Sequence, residues 1–207
     1  MNLFDRPLFV GAHVDDVELF AGGTLHRFGI RAKVLAFSRH RGVYESPKGE
    51  FEHSMVVLGI GEKMYKTFDL QACQPGEASM AWNRDALYDT LVQYKSWATV
   101  VITHQSTDTN QDHKQVHDEV LRAMRGMPVI CGSFPHNDIP TADRRFFVEL
   151  EELDVSRKVQ AIASYESQIR NHRPYFDEET VRAHCRYWGS LIGKKYAEAF
   201  EVMRMWI

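Results

Sequence analysis

Short apolar runs alternate with amphipathic stretches over residues 8–131, and this alternation restricts the fold more than any other feature of the chain. The runs Leu8–Ala12, Ala32–Phe37, Lys63–Phe68, Thr99–Thr103 and Val129–Cys131 are brief and rich in β-branched or aromatic residues, as strands buried on both faces are. Between them the pattern predicts helices at about Val17–Phe28, Gly49–Leu58, Trp82–Tyr94 and Asp112–Met124. In the third, Ala86, Leu87, Leu91 and Tyr94 follow a helical period; in the fourth, Val116, Val120, Leu121 and Met124 do. Alternating strand and helix implies parallel βαβ units with right-handed crossovers. The predicted fold is an α/β, Rossmann-like three-layer sandwich with a mostly parallel central sheet.

Beyond the fifth run, Gly132–Phe147 carries Pro135, Asn137, Pro140 and several aspartates and reads as a long loop, a length that often serves function. Two further helical patterns follow, about Val155–Gln168 and about Glu178–Met203, the second weakened by Gly189 and Gly193. No repeat, linker or low-complexity tract divides residues 1–207, so one domain is expected. With 44% hydrophobic and 26% charged residues the chain reads as soluble and globular. A net charge of −3 argues against a general nucleic-acid binder. No apolar run approaches the length of a transmembrane segment, and no charged leader precedes an apolar h-region. Cys73, Cys131 and Cys185 form no CxxC pair and read as reduced thiols of a cytoplasmic protein, Cys131 in the core. A homo-oligomer is the base-rate expectation.

The chemistry concentrates at two places. Gly11-Ala12-His13-Val14-Asp15-Asp16-Val17-Glu18 follows the first apolar run, and Asp108-Thr109-Asn110-Gln111-Asp112-His113 follows the fourth. Parallel sheets bind ligands at the carboxyl ends of strands, near the switch in strand order, and the first and fourth strands are expected to flank that switch. A catalytic zinc keeps three protein ligands and one position for water. His13, Asp16 and His113 would supply two imidazoles and one carboxylate, and Asp15, pointing the other way, could accept the water's proton. Taken singly, an Asp-Asp pair after a strand reads as a helix cap or a solvated turn, and His113 with His117 one turn on reads as surface. The conjunction of both clusters at strand ends that should meet favours the metal.

At these residues the chain resembles the PIG-L/LmbE-like family of zinc-dependent N-deacetylases. The family's A-H-P-D-D-E motif and Gly-Gly-Thr-like helix start have counterparts in Ala12–Leu19 and Gly22-Gly23-Thr24-Leu25, and its D-x-[HN]-x-D-H signature in Asp108–His113. Weaker likeness runs through Lys48–Glu52, Leu58–Ile60, Gly189–Gly193 and Tyr196–Glu201. The resemblance implies zinc on His13, Asp16 and His113, with Asp15 as general base. It implies hydrolysis of an N-acyl, usually N-acetyl, group on an amino sugar or its conjugate, a small-molecule partner. Val14 stands where the family has proline, which leaves the loop less constrained. Asn110 stands where several members have histidine; it can donate a hydrogen bond to an oxyanion but cannot carry a catalytic proton. Asp112 is expected either to hold a neighbouring group from behind or to stabilise a helix N-terminus. Alternative readings are an amidase acting on a sugar-thiol conjugate or another non-acetyl amide, and a metal- or sugar-binding protein without turnover.

Loop positions near the same rim add candidate substrate contacts: Arg39 and Arg41 after the second strand, Lys48, His136 after the fifth strand, and Arg144 in the long loop. Arg145 shares that loop. His104 is expected to be a satisfied, partly buried histidine, and Trp82, Trp97, Trp188 and Trp206 to be packing residues.

Overall fold

The computed structural model describes residues 2–38, 49–68, 83–132, 134 and 143–206. Every residue of β1 (Pro7–His13) is buried, and its side chains divide by a period of two. Leu8, Val10 and Ala12 pack with β2 (Lys33–Ser38), α3 (Arg84–Val92) and α4 (Gln111–Ala123) on one face. Phe9 joins the opposite layer, where α1 (Asp16–Phe28), α2 (Glu50–Val57), α5 (Glu152–Ala163) and α7 (Glu178–Leu191) place their apolar stripes. A strand with both faces covered needs apolar residues at every position, hence the unbroken run. The remaining elements are β3 (Tyr65–Thr67), β4 (Val100–His104), β5 (Val129–Gly132), β6 (Arg144–Leu150), α6 (Glu166–Arg170) and β7 (Tyr196–Arg204).

The seven strands form one sheet in the order β3-β2-β1-β4-β5-β7-β6. Strands β1 to β5 pair in parallel, and β7 runs antiparallel between β5 and β6. This is the expected three-layer, mostly parallel α/β fold. β1 pairs with both β2 and β4, so the order reverses between β1 and β4. After β1 the chain enters α1 on one face; after β4 it enters α4 on the other. The two loops diverge and leave a crevice at the carboxyl ends of these strands. Among the described residues, no helix is long and apolar enough to cross a membrane.

Two expectations are corrected. Of the loop expected over Gly132–Phe147, Gly132 ends β5 and Arg144, Arg145, Phe146 and Phe147 lie in edge strand β6. The helix expected over Glu178–Met203 stops at Leu191, and Tyr196–Arg204 is strand β7. Gly193 turns the chain with φ +68°, and β7 then enters the sheet with Tyr196, Ala197, Glu198, Ala199 and Phe200 all buried. Alanine and glutamate favour helices in isolation; burial and pairing with β6 override that preference. The helical pattern over Val155–Gln168 also divides, into α5 and α6. A Cβ on Gly189 would lie 2.7 Å from the backbone nitrogen and Cα of Tyr196, atoms that cannot rotate away. Gly189→Ala is therefore expected to destabilise by about 1–3 kcal/mol, seen as a lowered Tm; an unchanged Tm refutes this reading of the helix-to-strand turn.

Helix α1 is broken at Ala21 (φ −145°, ψ 18°) and restarts at Gly22-Gly23-Thr24. Glu198 accepts from Gly23 N at 3.0 Å, from Thr24 N at 2.7 Å and from Thr24 Oγ1 at 2.6 Å. Lys158 Nζ donates to Leu19 O at 2.8 Å and to Glu198 Oε1 at 2.6 Å. Together the two side chains satisfy backbone groups on either side of the break.

Candidate active site

Asp15 occupies the N-cap position of α1, yet its side chain makes no capping hydrogen bond. Its carboxylate is buried, with Arg173 Nη1 at 4.0 Å. Asp16 turns back over the strand end and accepts from His13 N at 2.5 Å. The second loop is built around an authentic cap. Asn110 Oδ1 accepts from Asp112 N at 2.8 Å and His113 N at 3.4 Å, and Asn110 N donates to Asp108 Oδ1 at 2.8 Å. The Asn110 side-chain oxygen thus belongs to the start of α4, and its amide nitrogen is the group that can donate to a ligand.

The two loops meet. His13 Nδ1 lies 3.3 Å from His113 Nε2 and 3.5 Å from Asp16 Oδ2, and His113 Nε2 lies 3.2 Å from Asp16 Oδ1. Ligand atoms of His13, Asp16 and His113 all lie within 4.8 Å of one another. The far nitrogen of each ring has its own carboxylate. His13 Nε2 is 3.3 Å from Asp112 Oδ2, and His113 Nδ1 is 2.8 Å from Asp108 Oδ2. A carboxylate on the far nitrogen fixes ring orientation and makes the near nitrogen a better donor to a metal.

His104 ends β4 and is fully buried, stacked on His113 with ring centroids 3.9 Å apart. Ala12 N donates to its Nε2 at 2.9 Å, which places the ring proton on Nδ1. Burial first, and the neighbouring His113 second, push its pKa down to about 4, so the ring stays neutral. His104, Asp108 and His113 form a second group with metal-ligand spacing. There, however, His104 Nε2 serves Ala12, and Asp108 holds both Asn110 N and His113 Nδ1. That group supports the first.

Burial opposes positive charge on His13 and His113, but the surrounding carboxylates outweigh it. Asp16 and then Asp112 raise His13 to about 9; Asp16 and then Asp108 raise His113 to about 10. Asp16 is drawn well below the usual carboxylate range: burial works against this, and His113, His104 and His13 overcome it. Asp15, Asp16, Asp108 and Asp112 are all nearly inaccessible to solvent. Buried carboxylates need compensating positive charge. Two imidazole nitrogens and one carboxylate oxygen, converging and braced from behind, fit a zinc ion in type and number.

The structure thus brings His13, Asp16, Asp112 and His113 together, with Asp15 buried in the first loop beside Asp16 in sequence and Asn110 capping α4 in the second. Arg144 is the first residue of β6; its Nη2 donates to Gln105 Oε1 at 2.6 Å, just past the end of β4. Arg144 and Cys131 stand opposite the same residue, Glu201, so Arg144 is level with the strand ends. Arg145 pairs with Asp143 and is exposed. Arg39, Arg41, Lys48 and His136 lie outside the described residues. His117 faces away, with Nδ1 donating to His104 O at 2.8 Å. Sequence reasoning assigned no role to Asp108, whose place five residues before His113 was the available signal. It also passed over Arg173 and Tyr175, which sit in a segment without a motif. Tyr175 lies close enough to feel Asp15 and Asp16, although burial is the main reason its pKa rises to about 12.

The wider comparisons agree with this architecture. A conserved protein of Thermus thermophilus is 22% identical, with a TM-score of 0.72 over 97% of this chain and 96% of that one. The N,N'-diacetylchitobiose deacetylase of Pyrococcus horikoshii is 16% identical, with a TM-score of 0.72 over 96% of this chain and 83% of that one. A zinc-inhibited form of the teicoplanin deacetylase Orf2 is 16% identical, with a TM-score of 0.67 over 95% and 97%. At these identities the likeness establishes the fold. No curated protein matches the chain significantly. The family model described as GlcNAc-PI de-N-acetylase matches residues 8–124, a span that holds both loops of the crevice and more than half of the chain, which therefore belongs to the PIG-L family.

Proposed function

We propose that the chain is a zinc-dependent hydrolase that removes an N-acyl group, in the first instance N-acetyl, from an amino sugar or its conjugate. The observation that carries this reading is the convergence of the buried His13, Asp16 and His113 donors, with the buried Asp15 next in the chain to one of them. Membership of a family described by a de-N-acetylase supports it, as do relatives in fold that are deacetylases of chitobiose and of teicoplanin. His13, Asp16 and His113 would hold the zinc. When bound, the ion polarises the amide carbonyl and makes water a stronger nucleophile at neutral pH.

The residues around it divide the remaining work. Asp15 takes a proton from the attacking water and delivers it to the amine as the C–N bond breaks, so that water and amide become carboxylic acid and free amine. Asn110 Nδ2 donates to the oxygen on which negative charge develops. Asp112 and Asp108 keep the two imidazoles in their tautomers. Arg144 is a candidate contact to the rest of the sugar conjugate, and on sequence grounds so are Arg39, Arg41, Lys48 and His136.

Protein purified without chelator is expected to hold about one zinc per chain, three ligands defining one site. With zinc it should release free amine and acetate from at least one member of a panel of N-acetyl sugars and sugar nucleotides. Metal-free protein with undiminished amine release would refute the zinc reading; zinc-loaded protein inert on N-acyl sugars of every class would refute the hydrolase reading.

A further inference from the structure

The loop from His13 to Asp16 carries the general base and two of the three ligands proposed above, and its side chains meet the second loop at His113 and Asp112. What braces it from behind comes from a distant part of the chain. Tyr165, at the joint between α5 and α6, is completely buried, and its hydroxyl donates to the backbone oxygen of Val14. The phenol has one hydrogen, which it shares between two acceptors, the Val14 oxygen and Glu18 Oε1 at 2.6 Å; that carboxyl oxygen also accepts from Ser54 Oγ of α2 at 2.6 Å. Ser54, Glu18, Tyr165 and Val14 thus form a continuous, buried chain of hydrogen bonds ending on the peptide group between His13 and Asp15.

We propose that Tyr165 is a positioning residue for the metal-binding loop: its hydroxyl locks the Val14 peptide and so sets where His13, Asp15 and Asp16 point. The ring itself does ordinary packing, edge-on to Phe176 at a centroid distance of 6.4 Å and in the same apolar cluster as Val14; the hydroxyl holds the loop backbone. Valine leaves two backbone torsions to be held. A proline at that position would fix φ covalently and keep the preceding residue extended, a conformation His13 already has at the end of β1. The Tyr165 hydrogen bond supplies by contact what a proline ring supplies by covalent structure. Tyr165 lies outside residues 8–124, the segment matched by the family model, so the brace comes from the chain's own carboxyl-terminal part.

This inference rests on the zinc reading, and the experiment separates the two. Zinc affinity of the full chain is measured by competition with a chromogenic chelator, alongside thermal unfolding of the metal-free protein. Tyr165→Phe keeps the ring and removes the brace; it should bind zinc roughly 10- to 100-fold more weakly, as loss of an outer support to a metal site typically does. Its kcat should fall while KM stays near wild type. Val14→Pro added to Tyr165→Phe should recover most of the lost affinity, although it restores no partner to Glu18. Wild-type protein that binds no zinc overturns the metal reading and this inference with it. Tight wild-type binding matched by Tyr165→Phe overturns the inference alone. A loss that Val14→Pro leaves uncorrected assigns the effect to packing and likewise overturns it.

Discussion

Asp15→Asn is expected to retain zinc and to lose about 100- to 10,000-fold in kcat, the range associated with a missing general base. Asparagine keeps the shape of the side chain and cannot take a proton from water. The substitution is informative because Asp15 sits at the N-cap of α1 without capping it, so asparagine removes no helix cap. Asp16, its neighbour, is tied to His13 N and lies among the imidazoles. Asp16→Asn should therefore forfeit metal, whereas Asp15→Asn should forfeit turnover with metal in place. Measuring bound zinc and amine release on the same preparations separates the two roles. An Asp15→Asn protein within about tenfold of wild-type kcat, far below the loss a base normally causes, would remove Asp15 from the chemistry.

The meeting of the two loops could be read from the sequence because it depends on a simple geometry. Residues that follow a buried parallel strand must emerge at its carboxyl end, and two such segments flanking the switch in strand order must face each other. The strand pattern of β1 and β4 was enough to place His13 and His113 in one crevice. Other features required the third dimension. His104 and Asp108 stand within or beside the second motif, but their roles depend on ring orientation: one accepts from Ala12 N, the other holds His113 Nδ1. Arg173 and Tyr165 reach the first loop from more than 140 residues away in sequence, through packing that no local pattern records.

The sheet divides in the same way. β1, β2, β4 and β5 carry continuous apolar runs and stand out. β7 carries Ala197, Glu198 and Ala199, residues that read as helix, and it became a strand because β6 pairs with its first part and β5 with its last. Glu198 in particular looks like a solvated helix residue and is instead buried. Its position is intelligible only with the break in α1 beside it.

Breaking that arrangement is the second large effect. Lys158→Met is expected to destabilise the fold by about 3–5 kcal/mol, the cost of leaving one member of a buried ion pair without its partner. Lys158 is fully inaccessible to solvent and Glu198 nearly so. The lysine does more than balance charge. At Ala21 the helix geometry is lost, Gly23 N turns to Glu198, and Leu19 O takes its hydrogen bond from Lys158 Nζ. Methionine fills much of the same space but leaves both Glu198 and the Leu19 carbonyl without that donor, and buried unsatisfied groups are costly. Glycines at 22 and 23 let the neighbouring elements come this close: a Cβ on Gly23 would lie 2.5 Å from Leu150 Cδ1, and one on Gly22 3.1 Å from Lys158 Cγ. For a chain of this size the loss corresponds to a Tm lower by roughly 10 °C. Adding Glu198→Gln should return part of it, because it removes the buried charge while the single amide oxygen still accepts from Thr24 N and Oγ1, at the cost of the Gly23 N bond, which ends on the other carboxylate oxygen. Zinc affinity should change little in either variant, since the ligand loop precedes the break and has its own supports. A Lys158→Met protein that melts within about 2 °C of wild type, less than 1 kcal/mol on this scale, would show that the interrupted helix does not depend on the pair.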